Sequence, residues 1–410
     1  MKLRNQLLAL FCLLGFVAFG VFYVRLWVVQ KPFGIILFIC DGLVAPQLTA
    51  ARLFEGGADH RLSLESFPHL ALVANHAQDF AVPDAAAAAT ALATGVKVNH
   101  RSVSMGADGQ PLRTLLEMAR AQDRGTGLVT TGHLTDPTPA AFYTQIADMR
   151  NVEQIAANLT EKAALDVALG GGGSDFTPEA KGGRRKDGRD LLSELRNQRR
   201  TMVTTKADLE SAANYQEYGL LGVFSPGALA FSDQIESGSQ QPSLADMVRR
   251  AIQFLEVNRQ GYLLVVDAAL VSRAAEANEG ERTIKETLAL DQAISVATKY
   301  AGEKSLIIAV GKHAIGGLTL NGYPARQDRG VALLGTTAMG HPSLTWATGP
   351  NGPAAPVAPA SGKTEPAAFQ TPSALHSAQD VIAVGKGNGA EKLRGFIDNT
   401  EIFRILQEAL

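Results

Sequence analysis

The segment Phe33-Gly34-Ile35-Ile36-Leu37-Phe38-Ile39-Cys40-Asp41-Gly42 contains no polar residue until its closing Asp-Gly. A strand so uniformly apolar must be covered on both faces, the situation of a central strand in a parallel sheet. Gly127-Leu128-Val129-Thr130-Thr131, Gly261-Tyr262-Leu263-Leu264-Val265-Val266-Asp267 and Ser305-Leu306-Ile307-Ile308-Ala309-Val310 read in the same way. Helical patterns alternate with them, as in 112–122 and 284–301. The alternation predicts an α/β fold with a mostly parallel central sheet and helices on both faces. Ligand-handling groups collect at the carboxyl ends of such strands, where Asp41 and Asp267 stand.

The N-terminus carries a second signal. Lys2 and Arg4 precede an apolar stretch from Leu7 to Val24, and Arg25 and Lys31 follow it. The stretch is about as long as a bilayer-spanning helix requires, and the leading positive charges favour an N-in orientation. The exit Phe22-Tyr23-Val24-Arg25 offers no small-x-small cleavage site. Residues 1–30 therefore read as an uncleaved signal anchor, with a cleaved signal peptide as the alternative. Residues 31–410 then form one extracytoplasmic domain, periplasmic or at the cell surface.

Charged residues are 19% of the 410 and the formal net charge is -2, without the basic footprint of nucleic-acid binding. Cys12 and Cys40 cannot make a disulfide framework and read as small buried hydrophobes. The basic segment 177–200, with Lys181, Arg184, Arg185, Lys186 and Arg189, reads as a solvated surface loop and helix. Residues 349–372, rich in Pro, Ala and Gly, read as a long irregular surface loop.

The stretch Val82-Pro83-Asp84-Ala85-Ala86-Ala87-Ala88-Ala89-Thr90-Ala91-Leu92-Ala93-Thr94-Gly95-Val96-Lys97 resembles, without gaps, the nucleophile segment V-T-D-S-A-A-S-A-T-A-M-A-T-G-V-K of the alkaline phosphatases. Thr138-Pro139-Ala140-Ala141-Phe142-Tyr143, Leu169-Gly170-Gly171-Gly172, Asp187-Gly188-Arg189-Asp190-Leu191-Leu192, Gln241-Pro242-Ser243-Leu244-Ala245 and the ending Asp398-Asn399-Thr400-Glu401-Ile402-Phe403 extend the likeness in order over 33–410. The resemblance implies an alkaline-phosphatase-like fold. It also implies a site of two zinc ions, a magnesium ion, a serine nucleophile and a phosphate-binding arginine, working by two-metal in-line displacement. Where the family has its serine, this chain has Ala85.

The resemblance maps the magnesium-like ligands onto Asp41, Asp136, Thr138 and Asp267, all oxygen donors suited to a hard cation. Asp267 is one methylene shorter than the family's glutamate. The alternative is that these carboxylates pair with Lys312 and nearby donors. Val310-Gly311-Lys312-His313-Ala314-Ile315-Gly316-Gly317 aligns with T-A-D-H-E-T-G-G, so Lys312 replaces a zinc-ligand aspartate while His313 remains. Lys312 either supplies the lost positive charge beside Asp41 or turns outward. The other zinc's aspartate and histidine become Ser272 and Glu276, one helical turn apart, and its distant histidine is His376. A hydrogen-bonded Glu276–His376 pair is expected there in place of a metal. Family spacing puts the phosphate-binding arginine at Met149; the local pattern puts it at Arg150.

These departures predict a catalytically impaired pseudophosphatase whose remnant, Mg-like site binds a ligand or partner. Magnesium is the possible cofactor and zinc is doubtful. The alternative is an active metal-dependent phosphomonoester hydrolase that uses another nucleophile, or a metal-bound water with Glu276 or His313 as base. Because alkaline phosphatases are commonly dimers, the resemblance implies a homodimer or a heterodimer with an active relative.

Overall fold

A computed structural model describes residues 2–23, 31–214, 219–321, 340–352 and 368–410. Residues 353–367 of the expected surface loop lie outside them. The chain divides into two compact units, Met1–Pro32 and Phe33–Leu410. The first contains helix α1 (Lys2–Tyr23), of which Leu3–Tyr23 is long and apolar enough to cross a membrane. Cys12 is exposed on this helix rather than buried.

The second unit is built on strands β1 (Gly34–Cys40), β2 (His69–Ala74), β3 (Gly125–His133), β4 (Val167–Gly171), β5 (Thr201–Val203), β6 (Leu220–Val223), β7 (Tyr262–Asp267), β8 (Leu306–Gly311), β9 (Val381–Lys386) and β10 (Arg394–Asp398). They form one ten-stranded sheet in the order β10-β2-β9-β8-β1-β7-β3-β4-β6-β5. All neighbours run parallel except at β9, which is antiparallel to both β8 and β2.

Every residue of β1 is buried. Alternation sends Ile35, Leu37 and Ile39 into one apolar layer and Ile36, Phe38 and Cys40 into the other. Each of these Ile, Leu and Phe side chains contributes about 1.5–3 kcal/mol on burial, so β1 holds both layers to the sheet. Helices α2 (Ala45–Gly56), α4 (Leu244–Leu255) and α6 (Gly280–Tyr300) cover the Phe38 side. Helices α3 (Ala85–Thr94) and α7 (Asn399–Ala409) cover the Leu37 side, placing Ala89, Leu92, Ile402 and Phe403 in the same layer as Leu37.

The basic segment contains a short helix, Leu191–Asn197, and several exposed ion pairs, including Lys181 with Asp190 and Arg189 with Glu161. Arg185 departs from the surface reading. Its side chain is buried, pairs with Asp187 and donates to the Glu153 carbonyl at 2.9 Å. A bidentate partner and backbone acceptors make that burial tolerable for a guanidinium.

Candidate functional site

Strands β8, β1, β7 and β3 are neighbours, and each delivers a polar group at or near its carboxyl end. Asp41 follows β1, Asp267 closes β7, Lys312 follows β8, and Thr130 lies within β3. The chain turns sharply after Asp41 because Gly42 adopts a φ of +80° and donates its N–H to the His313 carbonyl at 2.6 Å. A side chain at residue 42 would also meet Gln47 Oε1 at 2.5 Å.

Lys312 points inward. Its Nζ lies 3.0 Å from Asp41 Oδ1 and donates to Thr138 Oγ1 at 2.5 Å. Its backbone is held on both sides: the N–H donates to the Cys40 carbonyl at 3.0 Å, and Asn75 Nδ2 donates to its carbonyl at 3.1 Å. Burial works against the ammonium, but Asp41 and Asp267 outweigh it and hold the Lys312 pKa above the ordinary value. Burial likewise works against the Asp41 carboxylate, and Lys312 outweighs it, holding that pKa below the ordinary value. For Asp267 burial wins: its pKa is pushed up to about 7, although Thr130 Oγ1 donates to Oδ2 at 2.7 Å. Asp136 accepts from the His133 N–H at 2.8 Å and pairs with Arg273 Nη2 at 3.1 Å.

Ala85 is the first residue of α3. Asp84 caps this helix by accepting from the Ala87 N–H at 2.8 Å, and also accepts from the Arg101 N–H at 2.6 Å. The position expected of a nucleophile therefore sits at a well-built helix N-terminus, but carries only a methyl group. His376 Nδ1 lies 3.1 Å from the Pro83 carbonyl, an acceptor, so this hydrogen bond places the proton on Nδ1. The His376 ring stacks on His313 with centroids 3.7 Å apart. His313 is fully buried, and burial drives its pKa well below the usual histidine value, which makes it neutral imidazole. Its two ring nitrogens have no hydrogen-bond partner among the described residues.

Two sequence expectations need correction. Glu276 does not pair with His376: it accepts from Ser272 Oγ at 3.1 Å, one turn back on helix α5 (Ala269–Glu276), while His376 turns to Pro83 and His313. The nearer donor on the same helix satisfies the carboxylate. Arg150 is drawn to Asp148, which it grips through Nε and Nη2 at 3.0 and 2.5 Å, and its side chain is 66% exposed. Met149 is partly buried against the layer that contains Leu37. The structure does not bring Arg150 to the strand-end cluster.

Sequence reasoning missed Arg273 and Thr130. Arg273 stands beside Ser272, so the loss of a carboxylate and the gain of a guanidinium at adjoining positions were a signal in the sequence. Thr130 is uncharged and its contact with Asp267 crosses between strands, which left no signal.

A mostly parallel sheet that brings carboxylates, a lysine and histidines to its central strand ends is an α/β protein with its site outside those ends. The chain belongs to the alkaline phosphatase family, whose sequence profile matches residues 34–410. It is 32% identical over 299 residues to alkaline phosphatase 4 of Bacillus subtilis (strain 168), covering 70% of this chain and 62% of that protein. It is 27% identical over 350 residues to the membrane-bound alkaline phosphatase of Bombyx mori, covering 74% of this chain and 63% of that protein. The matches thus span less than two thirds of either relative. The fold is similar to that of alkaline phosphatase from the Antarctic bacterium TAB5, with a TM-score of 0.74 at 24% identity, over 92% of this chain and 98% of that one.

The residues present do not fit the family's metal ions. An ammonium is seated between Asp41 and Thr138, two of the expected magnesium ligands. A third, Asp136, is taken by a guanidinium, and Asp267 is held by burial toward its neutral form. Among the described residues, no three His, Cys, Asp or Glu side chains converge as a metal cluster.

Proposed function

We propose that this chain is a pseudophosphatase: an alkaline phosphatase family member that does not hydrolyse phosphomonoesters and whose remnant cleft binds a ligand or partner. The observation that carries the reading is Ala85, a side chain without a nucleophile at the N-terminus of α3. Removing the nucleophile of a covalent hydrolase costs roughly a million-fold in turnover. The other reading, attack by a metal-bound water, finds no support at Asp41 and Thr138, whose oxygens face Lys312.

The apolar α1 supports attachment to a membrane, with the domain on the extracytoplasmic side, as the basic residues before the helix favour. A homodimer, or a heterodimer with an active relative, is the assembly proposed for it.

The test is hydrolysis of p-nitrophenyl phosphate by residues 31–410 with excess Zn²⁺ and Mg²⁺, beside Asp41→Ala. The expected result is equal background in both. Turnover that disappears in Asp41→Ala would overturn the proposal.

A further inference from the structure

Three of the oxygen ligands that the family would offer to a hard cation are engaged here by cationic groups of the chain itself. Lys312 Nζ contacts Asp41 Oδ1 at 3.0 Å and Thr138 Oγ1 at 2.5 Å, and its side chain is 3% exposed. Arg273 contacts Asp136 at 3.1 Å from the neighbouring helix α5. Both cations stand in segments whose family counterparts carry zinc ligands: Lys312 replaces one of those ligands outright, and Arg273 directly follows Ser272, which replaces another. The same segments that lost anionic ligands therefore bring positive charge to the carboxylates left behind.

We propose that Lys312, assisted by Arg273, is a covalently tethered substitute for the divalent ions, so that this protein keeps its strand-end cleft intact without any metal. The inference deepens the proposed function and rests on its residue assignments, but not on the absence of turnover. The chemistry is that of charge replacement. Two carboxylates brought together at strand ends repel each other unless a cation lies between them. A lysine ammonium is a compact point charge with three donors, able to serve oxygens that a metal would otherwise gather. Because Lys312 is fixed at its N–H by Cys40 and at its carbonyl by Asn75, the ammonium is delivered by the fold, with no binding step. A divalent ion entering the same space would meet that ammonium at contact distance and be repelled. It would also find the anionic oxygens that a hard cation requires, those of Asp41 and Asp136, already engaged by Lys312 and Arg273.

The experiment is Mn²⁺ binding to the full chain, read by electron paramagnetic resonance of free Mn²⁺, together with thermal melts in EDTA and in millimolar MnCl₂. The expected wild-type result is no bound Mn²⁺ and the same Tm in both buffers. Lys312→Asp, which removes the ammonium and adds a carboxylate, is expected to take up about one equivalent of Mn²⁺ and to gain Tm on adding it. Stoichiometric Mn²⁺ on the wild type that is lost in Asp41→Asn would overturn the inference, as would a folded Lys312→Asp protein that gains none. Should Lys312→Asp fail to fold, the wild-type titration alone decides. Metal uptake by the wild type without phosphatase activity sinks this inference and leaves the proposed function standing. Turnover by the metal-free protein does the reverse.

Discussion

Lys312 and Asp41 form an ion pair of 3.0 Å in which the two side chains are only 3% and 6% exposed. A charge pair so completely removed from water is held by mutual need. Removing either member leaves the other without compensation, which typically costs about 3–5 kcal/mol. Lys312→Met should therefore lower the unfolding free energy by about that amount, measured by urea denaturation of residues 31–410. A loss below about 1 kcal/mol, the range of an exposed pair, would mean that Lys312 lies outward in solution.

Asp267 makes a pH dependence of definite sign. Burial raises its pKa from 3.8 to about 7, so the folded chain holds the proton more tightly than the unfolded one. Its stabilising contribution is complete below the unfolded value and is lost as pH rises through the folded value. This group therefore makes stability fall between about pH 4 and about pH 7 and stay level above that. Asp267→Asn, which cannot ionise, should flatten the slope in that window, as read from urea midpoints at a series of pH values. An unchanged slope would mean that Asp267 is ionised throughout it.

Ala85→Ser restores a hydroxyl at the first position of α3 but restores no metal. With Lys312 still against Asp41 and Thr138, the proposed charge replacement leaves the serine without a divalent cation to lower its pKa. Its kcat/KM for p-nitrophenyl phosphate should stay within about ten-fold of wild type, a small step against the range enzymes span. A rise of several orders of magnitude would show that only the nucleophile had been lost.

Asp84 supports the N-terminus of α3 through the Ala87 N–H and ties it to the Arg101 N–H. Asp84→Ala should destabilise the domain by about 1 kcal/mol, the usual worth of a helix N-cap. Thermal melts compare the two proteins, and an unchanged Tm would show the cap to be dispensable.

The full chain should remain with the membrane fraction after alkaline extraction, whereas residues 31–410 should be soluble. In spheroplasts the domain should be open to added protease without permeabilisation. Protection until the membrane is broken would place it on the cytoplasmic side.

Much of this protein is legible along the chain. The all-apolar pattern of β1 predicts a strand covered on both faces, and it is buried throughout between β7 and β8. The antiparallel insertion of β9 between β8 and β2 is not legible, because strand direction is set by pairing partners far away in sequence. At the site, the segment around Ala85 and the family profile over 34–410 agree on the family. The residue identities alone suggest a Glu276–His376 pair, but a donor four residues away on the same helix captures the carboxylate.

What the sequence determined by itself is the identity of the groups available: a methyl at residue 85, an ammonium at 312, a hydroxyl at 272 and a carboxylate at 276. Those identities limit the chemistry whatever the fold does with them. Only the tertiary structure decided which groups meet. Lys312 could have turned outward, since its long stem permits either direction. Hydrogen bonds from its N–H to the Cys40 carbonyl and to its carbonyl from the Asn75 side chain pin its stem at the end of β8, and the carboxylate of Asp41, just past the neighbouring β1, makes the inward position the one in which a buried charge has a partner.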